Sequence, residues 1–593
     1  MSVLKLPIFA GMVPSVDKHL LSDQNAAYCQ NVWLYSGALQ GIPQRINIHP
    51  LVNPDAQVAF RIPSAGVDPS YIFDSFWVEF TDVDTDFIKA PTAGDSFDRY
   101  YWCSPTSVPK YNTAARIVAG LPPWLLGLPS PAMPTAVAAS GTSTTLVSRA
   151  YICTFVTAYG EEGPASPPYL INGKIDDIFT VTMPACLATD MGTDRNITRI
   201  RLYRTVTGAD GSVDYYLVTD KPALTTTQTF ADNILDSVVT SNIALESTAW
   251  TAPPALKGMI AMPNGITAGF TGKELWFSEA YRPHAWPASY ALYLEHKIVG
   301  LGLIGQTLVV CTEGNPQTAS GVNPASITTA KLAAFEPCLT KGSIVSAEEG
   351  VYYASANGLM VVNPGVASNL TQTYISKDKW TEILNSGRIN GGKLGPAYYA
   401  FGAQIQGLFQ DILVQDDMEQ QTINIGTTQG FMLDPQNSNV GFTYVGAPKS
   451  ILSVSNDSLS GELIMIMDGA VWWHNQNPGY LTETYKWQSK IFQTPHLENF
   501  GVFKCYLYGN PTFTFSDPQN FNINQVFDPT KQVLVMRVYA DDRLILAHEI
   551  RKSGELHRMP TGFKANFWQI EFEGRARVKN MELATSVKEL AQT

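Results

Sequence analysis

Two dipeptides, Asn357-Gly358 and Asp468-Gly469, each stand between strongly apolar runs, and they restrict this chain's fold more than any other feature. Such pairs supply the positive φ values of a type I′ turn, whose twist suits two antiparallel strands. The flanks read accordingly as strands, 350–356 and 359–362 around the first turn, 461–467 and 470–474 around the second. A further strand of the same style is predicted over 272–278, after a glycine turn. Helical periodicity is scarce. Only 23–33, opened by Ser22 or Asp23 as a cap, and 377–385 read as helices. Aromatic residues, 11% of the chain, add to the strand reading. The fold class is therefore all-β.

At 593 residues the chain is too long for one hydrophobic core and divides into several domains. From 255 onward, turn–strand pairs recur without a strict period, which suits a β-propeller with diverged blades and terminal closing strands over 255–593. A β-sandwich or several small sheets are the competing reading of that pattern. Residues 1–132 are expected to contribute an N-terminal β segment to the same main domain. Residues 133–249 read differently. Strands are predicted at 151–159, 179–183, 197–204, 215–219 and 225–230, with Tyr151, Cys153, Phe155 and Tyr159 sharing one face. Five short strands with turn clusters between them describe an inserted β-sandwich, fibronectin type III-like in its order. Proline-bearing hinges at 130–134 and 252–254 bound it.

Charged residues make up only 16% of the chain, below the roughly 25% of an average soluble protein, which implies surface covered in an assembly. The 40 basic and 52 acidic residues leave a net charge of −12, against the basic surplus of a protein that grips phosphates. Within that total, 531–593 carries a basic excess and is the place expected to meet an acidic neighbour. The seven cysteines form no CxxC pair, which excludes zinc ribbons and dithiol redox sites and leaves reduced thiols. No signal-peptide core opens the sequence and no 18-residue apolar run occurs, so no membrane span is expected.

No motif carries chemistry. Gly300-Leu-Gly-Leu-Ile-Gly305 matches GxGxxG, but it leads into the β-branched run 306–311 instead of a helix, and no acid follows at the required distance. Asp82, Asp84 and Asp86 alternate as in a calcium loop, yet Phe87 and Ala93 stand where Gly and Glu belong, so an acidic surface loop is the reading. His548-Glu549 has Lys552 in place of the second histidine of HExxH. His474, beside Trp472 and Trp473, is expected to be a strand residue and not a ligand. The expected list of catalytic, cofactor-binding and metal-binding residues is empty, and the chain is expected not to be an enzyme.

Three stretches do resemble a known family. The first comprises Phe9–Pro14, Leu20–Asp23, Ala26-Ala27, Asn31-Val32 and Ser36–Leu39. The second comprises Met262–Ile266, Gly269-Phe270, Glu274-Leu275, Phe277–Glu279 and Pro283–Pro287. The third comprises Arg558–Lys564, Trp568–Gly574 and Leu583–Ser586. Together they resemble the tail nozzle proteins of short-tailed bacteriophages, the tail tubular protein B-like group; the likeness weakens over 375–500.

The resemblance implies a structural virion protein of the distal tail, assembled in the host cytoplasm. It would form a hexameric ring that prolongs the portal–adaptor channel, retains the genome and conducts DNA during ejection. Implied partners are further copies of the chain, the tail adaptor, tail fibres or spikes, and genomic DNA in transient contact. A neutral or acidic wall suits such a conduit, since a basic one would stall DNA. The competing expectation is a carbohydrate-binding or carbohydrate-cleaving tail component, because fibronectin-like and propeller domains both occur on sugar-binding proteins.

Overall fold

The computed structural model describes residues 3–591, leaving out 65, 69, 93, 208–212, 385–387, 403–427, 435, 438–439, 448, 450, 475–481 and 509–533. It is all-β, and its main body is propeller-like. Seven blades follow one another around an axis, six of them small separate antiparallel sheets and the sixth in order one end of an eleven-stranded sheet. Blade 1 is the hairpin Val58–Pro63 and Ser75–Phe80. Blade 2 holds Asp86–Lys89, Arg99–Ser104, Ser107–Thr113 and Trp124–Leu125. Blade 3 starts at Gly258–Ala261, blade 4 at Ile298–Ile304, blade 5 at Val345–Ser346, blade 6 at Ile389–Leu394 and blade 7 at Ile451–Asn456. The first strands of blades 2 to 7 touch in succession, and that of blade 7 touches blade 1. Phe60 stacked on Phe87 at 5.4 Å joins blade 1 to blade 2 and completes the circle.

Side-chain alternation explains why blade strands read as unbroken apolar runs. On Thr307–Thr312 of blade 4, Leu308 and Val310 pack with Phe270 and Phe277 of blade 3. Their neighbours Val309 and Cys311 pack with Val351 and Tyr353 of blade 5. Blade 7 does the same, turning Leu463 and Met465 to blade 6 and Ile464 and Ile466 to blade 1. Both faces are buried, so both parities must be apolar. The GxGxxG match lies on the first strand of blade 4, where a Cβ on Gly300 or Gly302 would strike Ile344 or Val351 of blade 5. Gly300 and Gly302 permit close packing of blades, and Gly305, at φ +55°, makes the turn into the next strand.

The ring is closed by Arg45–Pro50, which pairs with Ala470–His474 as the outer strand of blade 7. This corrects the expectation of C-terminal closing strands. The C-terminal strands instead join the first residues in a terminal body that continues the sheet of blade 6, where Met12 pairs with Phe442, and shares its core with blades 5 and 6. Val578–Ala584 pairs with Val3–Leu6, while Tyr485–Ser489 lies between Asn25–Gln30 and Ala565–Gly574. The expected helix over 23–33 is therefore a strand. Its cap-like Ser22 makes a turn to Asn25, and pairing with Tyr485–Ser489 overrides the local preference. The helix Lys377–Leu384 does form, burying Trp380 and Ile383.

Of the two predicted turns, Asp468-Gly469 has φ values of +54° and +69°, as type I′ requires. The other sits one residue earlier. Ser355 pairs with Gly358, so the turn residues are Ala356 and Asn357, and Asn357 is not at positive φ. Gly358, at φ +152°, opens the returning strand with its bare Cα against Asn369 and Thr371.

Between blades 2 and 3 lies the β-sandwich. Its three-stranded sheet has Ile178–Met183 between Thr135–Ala139 and Gln228–Asp232. The four-stranded sheet runs Tyr169–Lys174, Leu146–Thr157, Ile197–Thr207, Val213–Pro222. Thr135–Ala139 and Tyr169–Lys174 are strands beyond the five expected. Tyr151, Cys153 and Phe155 point into the core with Phe179, Val181 and Leu202. Tyr159 lies past the strand end and leaves that face to pack on Phe97, Tyr111 and Trp124 of blade 2 and its loop. An ion cluster around the buried Arg204 and Asp232 ties the sheets: Arg204 meets Asp232 at 3.0 Å and the partly exposed Asp236 at 2.5 Å, and Tyr151 donates its hydroxyl to Asp232 at 2.7 Å.

Candidate functional site

Two places gather polar side chains from distant parts of the chain. The first is an axial cavity of about 430 Å³ at the end of the ring where the first strands of the blades begin. Lys257, Lys341 and Arg388 each come shortly before the first strand of a blade, and Asp84 precedes that of blade 2. Arg388 Nη2 meets Asp84 Oδ1 at 2.7 Å, while Lys341 Nζ meets the Asp84 carbonyl and Asp86 Oδ2, each at 2.7 Å. Asp86 also accepts from the Met259 backbone at 2.8 Å. Burial pushes the Asp86 carboxyl above its ordinary value despite the ammonium beside it. Asp84 and Asp86 thus belong to axial ion pairs linking blade 2 to blades 5 and 6, which corrects the reading of 82–86 as a surface loop. Sequence reasoning missed the three cations because each is a single residue with no motif around it. The shared signal is their position just ahead of a blade's first strand.

The second place is the joint between sandwich and ring. Glu161 of the sandwich is buried and accepts from Arg99 of blade 2 at 2.6 Å, and Arg99 also meets Asp95 at 2.9 Å. His284 of blade 3 lies 4.0 Å from Glu161 and edge-on to Trp250. Burial holds the His284 imidazole below its usual range, against the pull of the Glu161 carboxylate. Leu125 N–H donates to the Asp194 carbonyl at 2.8 Å and Arg195 Nε to that of Gly127 at 3.0 Å. The proline-bearing edges are accordingly docked, and the joint is no free hinge.

The remaining sequence motifs are structural in their contacts. His474 is fully buried, 3.1 Å from the Tyr399 hydroxyl. His548 packs against His557, centroids 4.3 Å apart, and burial together with His548 holds His557 below its ordinary pKa. All seven cysteines are buried and free, and burial pushes the thiols of Cys29, Cys153 and Cys505 up to about 12. Among the described residues no His, Cys, Asp or Glu group could hold a metal ion. No described helix is long and apolar enough to cross a membrane.

No family model and no curated protein matches the chain. Among solved structures it is similar to BBS1N in complex with ARL6DN, at 8% identity and a TM-score of 0.23, over 46% of this chain and 86% of that one. The AfRom2 CNH domain gives 7% identity and 0.24, over 51% and 90%. Myxococcus xanthus glutaminyl cyclase gives 14% and 0.19, over 37% and 88%. At such scores these likenesses assign no function.

Proposed function

We propose that the chain is a non-enzymatic virion protein, the tail nozzle of a short-tailed phage, working as a hexameric ring on the distal tail. In this reading it prolongs the portal–adaptor channel, retains the genome and conducts DNA during ejection. The observation that carries the reading is where the nozzle-like stretches fall. Those from the two chain ends build one body: Phe9 packs edge-on against Phe572, centroids 6.1 Å apart, and against Trp487 at 5.0 Å. The middle stretch is blade 3, with Met262, Phe270, Leu275 and Phe277 in the core it shares with blade 4.

The axial ion pairs add a geometric condition. They cross the axis of the single propeller, so a DNA channel would have to lie between copies of the chain and not through one of them. Native mass and low-resolution imaging of the purified protein test the proposal: a closed ring of about six copies with a hollow centre is expected. Duplex DNA should bind more weakly than the roughly 10⁻⁴–10⁻⁶ M of ordinary non-specific binders at physiological salt. A compact monomer that binds or cleaves glycans would replace this reading with the carbohydrate one.

A further inference from the structure

We propose that the axial cavity binds a small oxyanion, a carboxylate or a phosphate, through Lys257 with Lys341 and Arg388. The inference does not depend on the nozzle reading. Lys341 gives two N–H donors to Asp84 and Asp86, and Arg388 gives Nη2 to Asp84 and Nε to Asn390 at 2.8 Å. These two cations are held in place with donors to spare, since an ammonium has three and a guanidinium five. Lys257 differs from them. Its ammonium meets only the Pro105 carbonyl, at 2.5 Å, and among the described residues it has no carboxylate partner. Three cations against Asp84 and Asp86 leave one positive charge in excess at the cavity, in a chain of net charge −12.

The surroundings are built for this arrangement. A Cβ on Gly258 would come within 2.8 Å of Asp86 Oδ2, and one on Gly342 within 2.8 Å of Arg388 Nη2, so glycine at both positions leaves room for the charged groups. Phe270 and Ile298 supply apolar wall on one side of the cavity. A cavity of about 430 Å³ admits phosphate or a small carboxylic acid but no nucleic-acid duplex.

Isothermal titration of the full chain at low chloride, with inorganic phosphate and separately with citrate, tests the site. Saturable binding of one anion per chain is expected, and which of the two binds tells a phosphate source from a carboxylate source. Lys257→Met should weaken it at least about tenfold, the loss of one charge-assisted contact. Lys257→Arg should keep most of it. Lys449→Met, which removes a cation near the same end of blade 7, should leave binding unchanged. No saturable binding of either anion below about 10 mM, or equal binding by Lys257→Met and the parent chain, overturns the proposal.

Discussion

The ring and the sandwich are both two-dimensional sheets folded on themselves, yet they place their apolar surface differently. In the sandwich, Tyr151, Phe155, Phe179 and Leu202 form a core inside one continuous segment of chain. In the ring, cores lie between neighbours: blades 3 and 4 share one, blades 4 and 5 another, blades 7 and 1 another, while blades 5 and 6 share theirs with the terminal body as well. A ring blade has no interior of its own. Stability in the ring is therefore collective, whereas in the sandwich it is local, and this difference can be broken or sharpened experimentally.

The largest effect is expected from two deletions compared. Removing residues 1–50 takes away the closing strand and part of the terminal body, and should abolish a cooperative melt of the ring. Excising 129–250 should leave the ring intact, because Gly127 already lies against Ala252 and Pro253. The excised segment alone should melt cooperatively with a β-type circular dichroism spectrum. Two deletions with the same outcome would erase the distinction between collective and local stability.

Next comes Arg204→Ala. It takes the nearest guanidinium from the buried Asp232, leaving it the Tyr151 hydroxyl, the Ile234 N–H and Arg149 at 3.9 Å, and should cost about 3 kcal/mol, the lower end of the range for breaking a buried ion pair. Calorimetry should show the sandwich transition moving and the ring transition staying. Smaller effects follow at the hairpin glycines. A Cβ at Gly469 meets no atom within 4 Å, so Gly469→Val reports backbone strain alone, about 1–2 kcal/mol. Gly358→Val adds a clash with Asn369 and Thr371 and should lower the melting temperature further.

The smallest effect belongs to the joint. The folded protein holds His284 below its ordinary pKa of 6.5, so the unfolded chain binds more protons around that pH. The contribution is fully present above about 6.5 and is lost as pH falls below it. His284→Phe should flatten the melting temperature between about pH 5 and 7 relative to the parent; an unchanged slope would remove His284 from the account.

The sequence was most legible where both faces of a strand are buried. Thr307–Thr312, Val351–Ser355 and Leu463–Met467 are nearly uninterrupted apolar runs bounded by turns, and they stand out without a partner in view. Arg45–Pro50 was not legible as the closing strand. It alternates polar and apolar residues, ends in proline, and finds its partner only at Ala470–His474. Two sandwich strands were missed for local reasons: Thr135–Ala139 is rich in alanine, and Tyr169–Lys174 follows two prolines and contains Gly173. Asn357 misled because its glycine serves packing against Asn369 instead of the turn. At the axial site, Asp84 and Asp86 were noticed as a group, but their partners lie more than 250 positions away, at Lys341 and Arg388.

Closure by Arg45–Pro50 also sets a timetable for synthesis. Arg45 leaves the ribosome early, but its partner His474 follows some 430 residues later. At about 5–20 residues per second that interval is roughly 20–90 s, during which the nascent ring exposes the edge of a strand it cannot yet pair. The sandwich needs only its own segment and can fold within that wait. A chaperone that shields apolar nascent chain should therefore engage the blades far longer than the sandwich, and release them only after blade 7 has emerged.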